Sequence, residues 1–61
     1  MIYYAVEIQG FVHVYNDKKQ MLFMEYGQLV GFTSSTVSVK RYGFIMVYDV
    51  NHRLVDQVAC N

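Results

Sequence analysis

Two stretches decide how this chain reads: GFVHVY at Gly10–Tyr15 and GFIMVY at Gly43–Tyr48. With the two glycines aligned, Phe11 meets Phe44, Val12 meets Ile45, Val14 meets Val47 and Tyr15 meets Tyr48. The match runs on, with Asn16 against Asp49 and Met21-Leu22 against Leu54-Val55, at a period of 33 residues. Each copy, 10–22 and 43–55, spells glycine turn, apolar strand, Asn- or Asp-led turn, apolar strand. That is the pattern of one β-hairpin used twice.

The rest of the chain agrees with strands. Proline is absent, and β-branched and aromatic residues dominate, as strands prefer. Along Ile2–Ile8, the residues Ile2, Tyr4, Val6 and Ile8 share one face and Tyr3, Ala5 and Glu7 the other. Gln9-Gly10 turns the chain, because glycine accepts positive φ. Phe11–Tyr15 is the second strand, Asn16–Lys19 a polar turn and Gln20–Glu25 the third strand. Gly27 breaks that run, Leu29–Phe32 is a short strand or irregular bridge, and Thr33–Ser35 is a turn by composition.

Thr36–Arg41 has the cleanest alternation, predicting Val37 and Val39 inward and Thr36, Ser38 and Lys40 outward. Tyr42-Gly43 then turns into Phe44–Asp49. Val50–His52 forms a loop in which Asn51 or His52 takes a left-handed conformation. Arg53–Val58 is the last strand, with a helix over Leu54–Ala59 as the competing reading. The expectation is an all-β fold, one domain over 1–61. About six short antiparallel strands in consecutive hairpins form a bent sheet or small barrel.

A domain of 61 residues is marginally stable unless a disulfide, a metal or a partner subunit is added. Cys60 is the only cysteine, so an internal disulfide is excluded, and it reads as a small residue in a chain end. His13 and His52 stand in no zinc-type spacing, so no metal and no cofactor is expected. A partner subunit is left. Composition favours it: 54% of residues are hydrophobic, and Met21–Met24 and Phe44–Tyr48 are apolar on both strand faces. Five basic and five acidic residues cancel, so charge does little to hold copies apart. A compact monomeric barrel that uses both faces as core is the alternative.

The apolar runs Met1–Val6 and Phe44–Tyr48 are too short to span a bilayer, and MIYYAVEIQG lacks the basic start and long apolar stretch of a secretion signal. The expectation is therefore a cytoplasmic protein with no membrane partner. Catalysis is not expected: the carboxylates fall in turns or on polar faces, Asp49 reads as a turn organiser, and His13 reads as a packed histidine. The expected function is a small non-catalytic homo-oligomer that binds another protein. Tyr3, Tyr15, Phe23, Tyr42, Phe44, Met46 and Tyr48 are its candidate interface residues, because aromatic and methionine side chains suit half-wet contacts.

Two resemblances add to this reading. The stretch from Gly27 to Val55 resembles repeat-like segments of small bacterial and prophage-encoded β proteins, which read roughly as a propeller blade. The matching residues include Leu29-Val30-Gly31, Thr36–Val39, Gly43, Val47-Tyr48-Asp49 and Arg53-Leu54, and the likeness implies a hairpin fold and a phage or prophage accessory role. KRYGFI at Lys40–Ile45 and FVHV at Phe11–Val14 resemble the two nucleic-acid motifs of cold-shock domains. That resemblance implies the alternative function, a single-stranded nucleic-acid binder. Phe11, His13, Tyr42 and Phe44 would stack bases, and Lys40 and Arg41 would hold phosphates. The two motifs occur here in the opposite order, Arg41 replaces a glycine, and the family's tryptophan is missing.

Overall fold

Alternating valines build the core. In the computed structural model, which describes residues 1–59, Val12 and Val14 on one strand and Val37 and Val39 on another are fully buried. Each such side chain contributes roughly 1.5–3 kcal/mol by leaving water. Ile2, Phe23 and Tyr48 complete the buried set, and Ala5, Leu22, Leu29, Met46 and Val50 pack around it.

The protein is all-β. Among the described residues there are seven strands: β1 (Tyr4–Ile8), β2 (Phe11–Tyr15), β3 (Met21–Tyr26), β4 (Gln28–Phe32), β5 (Thr36–Arg41), β6 (Phe44–Asp49) and β7 (Leu54–Ala59). All neighbours pair antiparallel, in two sheets ordered β1-β2-β3 and β4-β5-β6-β7. Of the two readings of Leu29–Phe32, short strand or irregular bridge, the strand holds, paired to β5 with a bulge between Leu29 and Gly31. Leu54–Ala59 is a strand and not a helix, because β6 supplies its hydrogen-bonding partner. Cys60 lies outside the described residues.

Gly27 is where the chain leaves the first sheet for the second. Its φ of 135° is open to glycine, and its N–H donates to the Gly10 carbonyl at 2.8 Å. A Cβ at Gly27 would sit 2.6 Å from a Val39 methyl and 2.7 Å from the Lys40 carbonyl oxygen.

The turns come in matched pairs. Gln9-Gly10 and Tyr42-Gly43 both carry positive φ at two central residues, the requirement of a type I′ hairpin turn. In the longer turns, the Asn16 side-chain oxygen accepts from the N–H groups of Lys18 and Gln20, and the Asp49 carboxylate accepts from Asn51 and Arg53. Lys19 and His52 take the left-handed position, at φ 64° and 65°. The loop expectation for Asp49 and His52 is met in detail.

Strand pairing follows the same shift. Glu7↔Val12, Val12↔Glu25 and Val14↔Phe23 in the first sheet correspond to Lys40↔Ile45, Ile45↔Val58 and Val47↔Asp56 in the second. Even the bulges coincide, between Val14 and Tyr15 and between Val47 and Tyr48. Residue n of β1–β3 is the geometric counterpart of residue n plus 33 in β5–β7.

The two sheets meet through non-equivalent faces. In the first sheet, the core face carries Ala5, Val12, Val14, Phe23 and Glu25, as register and burial both require. In the second, it carries Val37, Val39, Arg41, Met46 and Tyr48. Shifted by 33, the core residues of the first sheet fall on the outer face of the second, and those of the second fall on the outer face of the first. The packing is head to tail.

Candidate functional site

The outer face of the first sheet is unlike an ordinary solvent face. β1 contributes Tyr4, Val6 and Ile8, β2 contributes Phe11, His13 and Tyr15, and β3 contributes Met21, Met24 and Tyr26. No charged side chain interrupts them, although Met21, Tyr26 and Ile8 are each close to half exposed. A face with one side on a core should alternate to polar on the other. Here the rings pack on one another instead: Tyr4 stacks on Tyr15 at 4.7 Å between centroids, and Phe11 meets Tyr26 edge-on at 5.7 Å.

The opposite outer face, on the second sheet, is mixed. β5 presents Thr36, Ser38 and Lys40, β6 presents Ile45, Val47 and Asp49, and β7 presents Asp56 and Val58. Every residue of β7 is exposed, Leu54, Val55 and Val58 included.

Between the sheets, near the glycine-turn end, lies an open cleft of about 410 Å3. Glu7, Tyr26, Lys40, Arg41 and Tyr42 line it with three turn glycines. Tyr26 and Tyr42 face each other at 6.1 Å, and one Glu7 oxygen accepts from the Leu29 N–H at 2.9 Å. The cleft therefore offers aromatic faces and hydrogen-bonding groups of both charge signs.

Behind it sits the polar network that joins the sheets. The Arg41 guanidinium donates to Glu25 at 2.5 Å, to the Tyr26 carbonyl at 3.0 Å and to the Tyr48 hydroxyl at 2.8 Å. The second Glu25 oxygen accepts from His52 Nε2 at 2.5 Å, and the His52 ring stacks flat on Phe23 at 4.4 Å. Burial pushes the Glu25 carboxyl up, but hydrogen bonds from Arg41 and His52, with their charges, outweigh it and hold the carboxyl below its ordinary value. Glu25 is thus ionised and has no proton to give, so Nε2 carries the one in that bond. Arg41 is raised above its usual value, chiefly by the bond to Glu25. Among the described residues, no three His, Cys, Asp or Glu side chains cluster as metal ligands would, and no helix is long and apolar enough to cross a membrane.

The candidate interface residues divide. Phe23 and Tyr48 are buried between the sheets, and Met46 packs at the edge of that core, so these three act within the chain. Tyr15 lies on the outer aromatic face. Tyr3 is exposed beside Tyr4, with ring centroids 6.3 Å apart. Tyr42 is 82% exposed at a turn, and Phe44 lies at the margin of the inter-sheet face. Sequence reasoning missed Tyr4, Ile8, Met24 and Tyr26; the alternation of Ile2–Ile8 and the two-faced apolar run Met21–Met24 carried that signal.

Of the residues of the nucleic-acid alternative, Lys40, Arg41 and Tyr42 share the lining of the cleft, and Phe11, His13 and Phe44 lie apart from it. Phe11 and His13 are on the first sheet's outer face, Lys40 is on the second sheet's outer face, and Tyr42 is in a turn. Phe44 shares the inter-sheet face with Arg41, whose guanidinium is spent on three acceptors. Comparisons with protein-family models, with curated proteins and with solved structures gave no match.

Proposed function

We propose that the protein is a small non-catalytic interaction module that associates with copies of itself through the outer face of β1-β2-β3 and, as that assembly, binds a protein partner. One observation carries this reading. Nine residues on three paired strands form an aromatic and aliphatic face without a charge, and the chain itself leaves that face uncovered. Contiguous apolar surface of this kind marks contact sites in soluble proteins. Tyrosine and methionine side chains suit such a contact, with Phe11, His13 and Tyr15 on its central strand and Met21 and Met24 on its β3 edge. The phage or prophage setting rests on the hairpin-repeat resemblance and belongs to the same reading.

Met24 tests it. This side chain is 46% exposed on β3 and makes no part of the core, so the folded chain tolerates a charge there. Met24→Lys is expected to keep the circular dichroism of the folded chain and to lower the mass in solution to that of one chain. An unchanged assembly in the folded variant would show that the outer face is not the contact surface.

A further inference from the structure

We infer that the occupant of the outer face of β1-β2-β3 is the outer face of β5-β6-β7 of a second copy, packed by repeating the contact that joins the two sheets inside one chain. This rests on the interaction-module reading and specifies the partner surface. The argument is one of equivalence. Inside the chain, β5-β6-β7 buries one face against the opposite face of β1-β2-β3. Because the two units share register pair for pair, the face left open on the first unit is the counterpart of the face the second unit buries. The face left open on the second unit is likewise the counterpart of the face the first unit buries. The two uncovered surfaces are thus a matching pair, built on backbones that already fit each other once.

The side chains support the same pairing. The internal contact has three anchors: Glu25 with Arg41, Glu25 with His52, and Phe23 with His52 and Tyr48. Shifted by 33, Glu25 becomes Val58 and Arg41 becomes Ile8, so an internal ion pair becomes an apolar pair between copies. Phe23 becomes Asp56 and His52 becomes Lys19, so a ring stack becomes an ion pair, while Tyr48 becomes Tyr15. The other two contacts do not exchange in kind: Glu25 with His52 becomes Val58 with Lys19, and Phe23 with Tyr48 becomes Asp56 with Tyr15. Val58 and Ile8 are each near half exposed in the single chain, and neither Lys19 nor Asp56 has an ion-pair partner among the described residues.

A contact between two different faces is heterologous. It propagates from copy to copy, as a ring where the rotation closes and as an open filament where it does not. A two-fold dimer, in which one face meets itself, would form neither an Ile8–Val58 nor a Lys19–Asp56 pair.

The test transplants the internal ion pair to the interface. Ile8→Arg alone and Val58→Glu alone each place an unpaired charge in the contact and are expected to weaken association at least tenfold, read by sedimentation over a concentration series. The double variant Ile8→Arg with Val58→Glu is expected to recover most of that loss. Lys19→Asp, Asp56→Lys and their combination give a second cycle, with a smaller expected loss of about fivefold for each single change. Single variants that associate as the natural chain does, or double variants no tighter than the singles in both cycles, overturn the head-to-tail pairing. If Met24→Lys still dissociates the assembly in that case, the outer face remains a contact surface and its occupant is another surface.

Discussion

Gly27→Ala is expected to destabilise the protein by roughly 3–5 kcal/mol, the sum of an over-packed contact and a backbone that L-residues resist. The added methyl would meet the Lys40 carbonyl oxygen and a Val39 methyl at well under van der Waals distance, and Val39 is fully buried. Neither neighbour can yield cheaply, since one is backbone in the β4–β5 pair and the other is core. For a chain of 61 residues the whole stability is about 3–9 kcal/mol, so most of it goes. Gly10→Ala is the control. Its φ is also positive, at 84°, but nothing lies within 4 Å of the new Cβ, so only the conformational cost of about 1–2 kcal/mol applies. Urea titrations of the two variants should separate by several kcal/mol; equal midpoints would show that the sheet-to-sheet passage at Gly27 is looser than described here.

Arg41→Ala is the second large effect, at about 2–4 kcal/mol. The substitution strands the Glu25 carboxylate, whose side chain is only 16% exposed, and removes the donor to the buried Tyr48 hydroxyl. Removing both charges together is expected to cost less, because no carboxylate is then left without its guanidinium, although the Tyr48 hydroxyl and His52 Nε2 lose their partners. Glu25→Val with Arg41→Ile is the natural choice, since Val58 and Ile8 already occupy the counterpart positions. Acid separates the two variants further. The folded-state Glu25 carboxyl lies below its unfolded value near 4.5, so its contribution is present above that pH and lost as pH falls through the folded-state value. The natural chain should weaken over that acid range, and the double variant should show less of the loss. Equal destabilisation of single and double variants would contradict the network as the link between sheets.

Much of the fold was legible because strand turns are written locally. Gly10, Gly43, Asn16 and Asp49 announce hairpins through backbone preferences that need no distant partner. The alternation of Val37 and Val39 named the core face of β5 correctly, since period-two patterning depends only on one strand. What stayed hidden was long-range. Leu29–Phe32 reads as either a short strand or an irregular bridge because Gly31 interrupts its apolar run, and pairing with β5 decides for the strand. Phe23, Tyr48 and Met46 look like contact residues in isolation and are core, because nothing in a single strand says which of two apolar faces meets the other sheet. The ion pair of Glu25 with Arg41 joins residues 16 positions apart on different sheets, beyond any local pattern. For the same reason the outer face was visible as surplus apolar surface and not as a set of named residues.

The account turns on that surplus being covered by other copies of the chain. Sedimentation equilibrium of the natural protein from sub-micromolar to tens of micromolar tests it most directly. The expected result is a mass that rises with concentration above that of one chain, levelling at a whole multiple of it where the contact closes into a ring. A single-chain mass across the whole range, with the protein folded throughout, would contradict it.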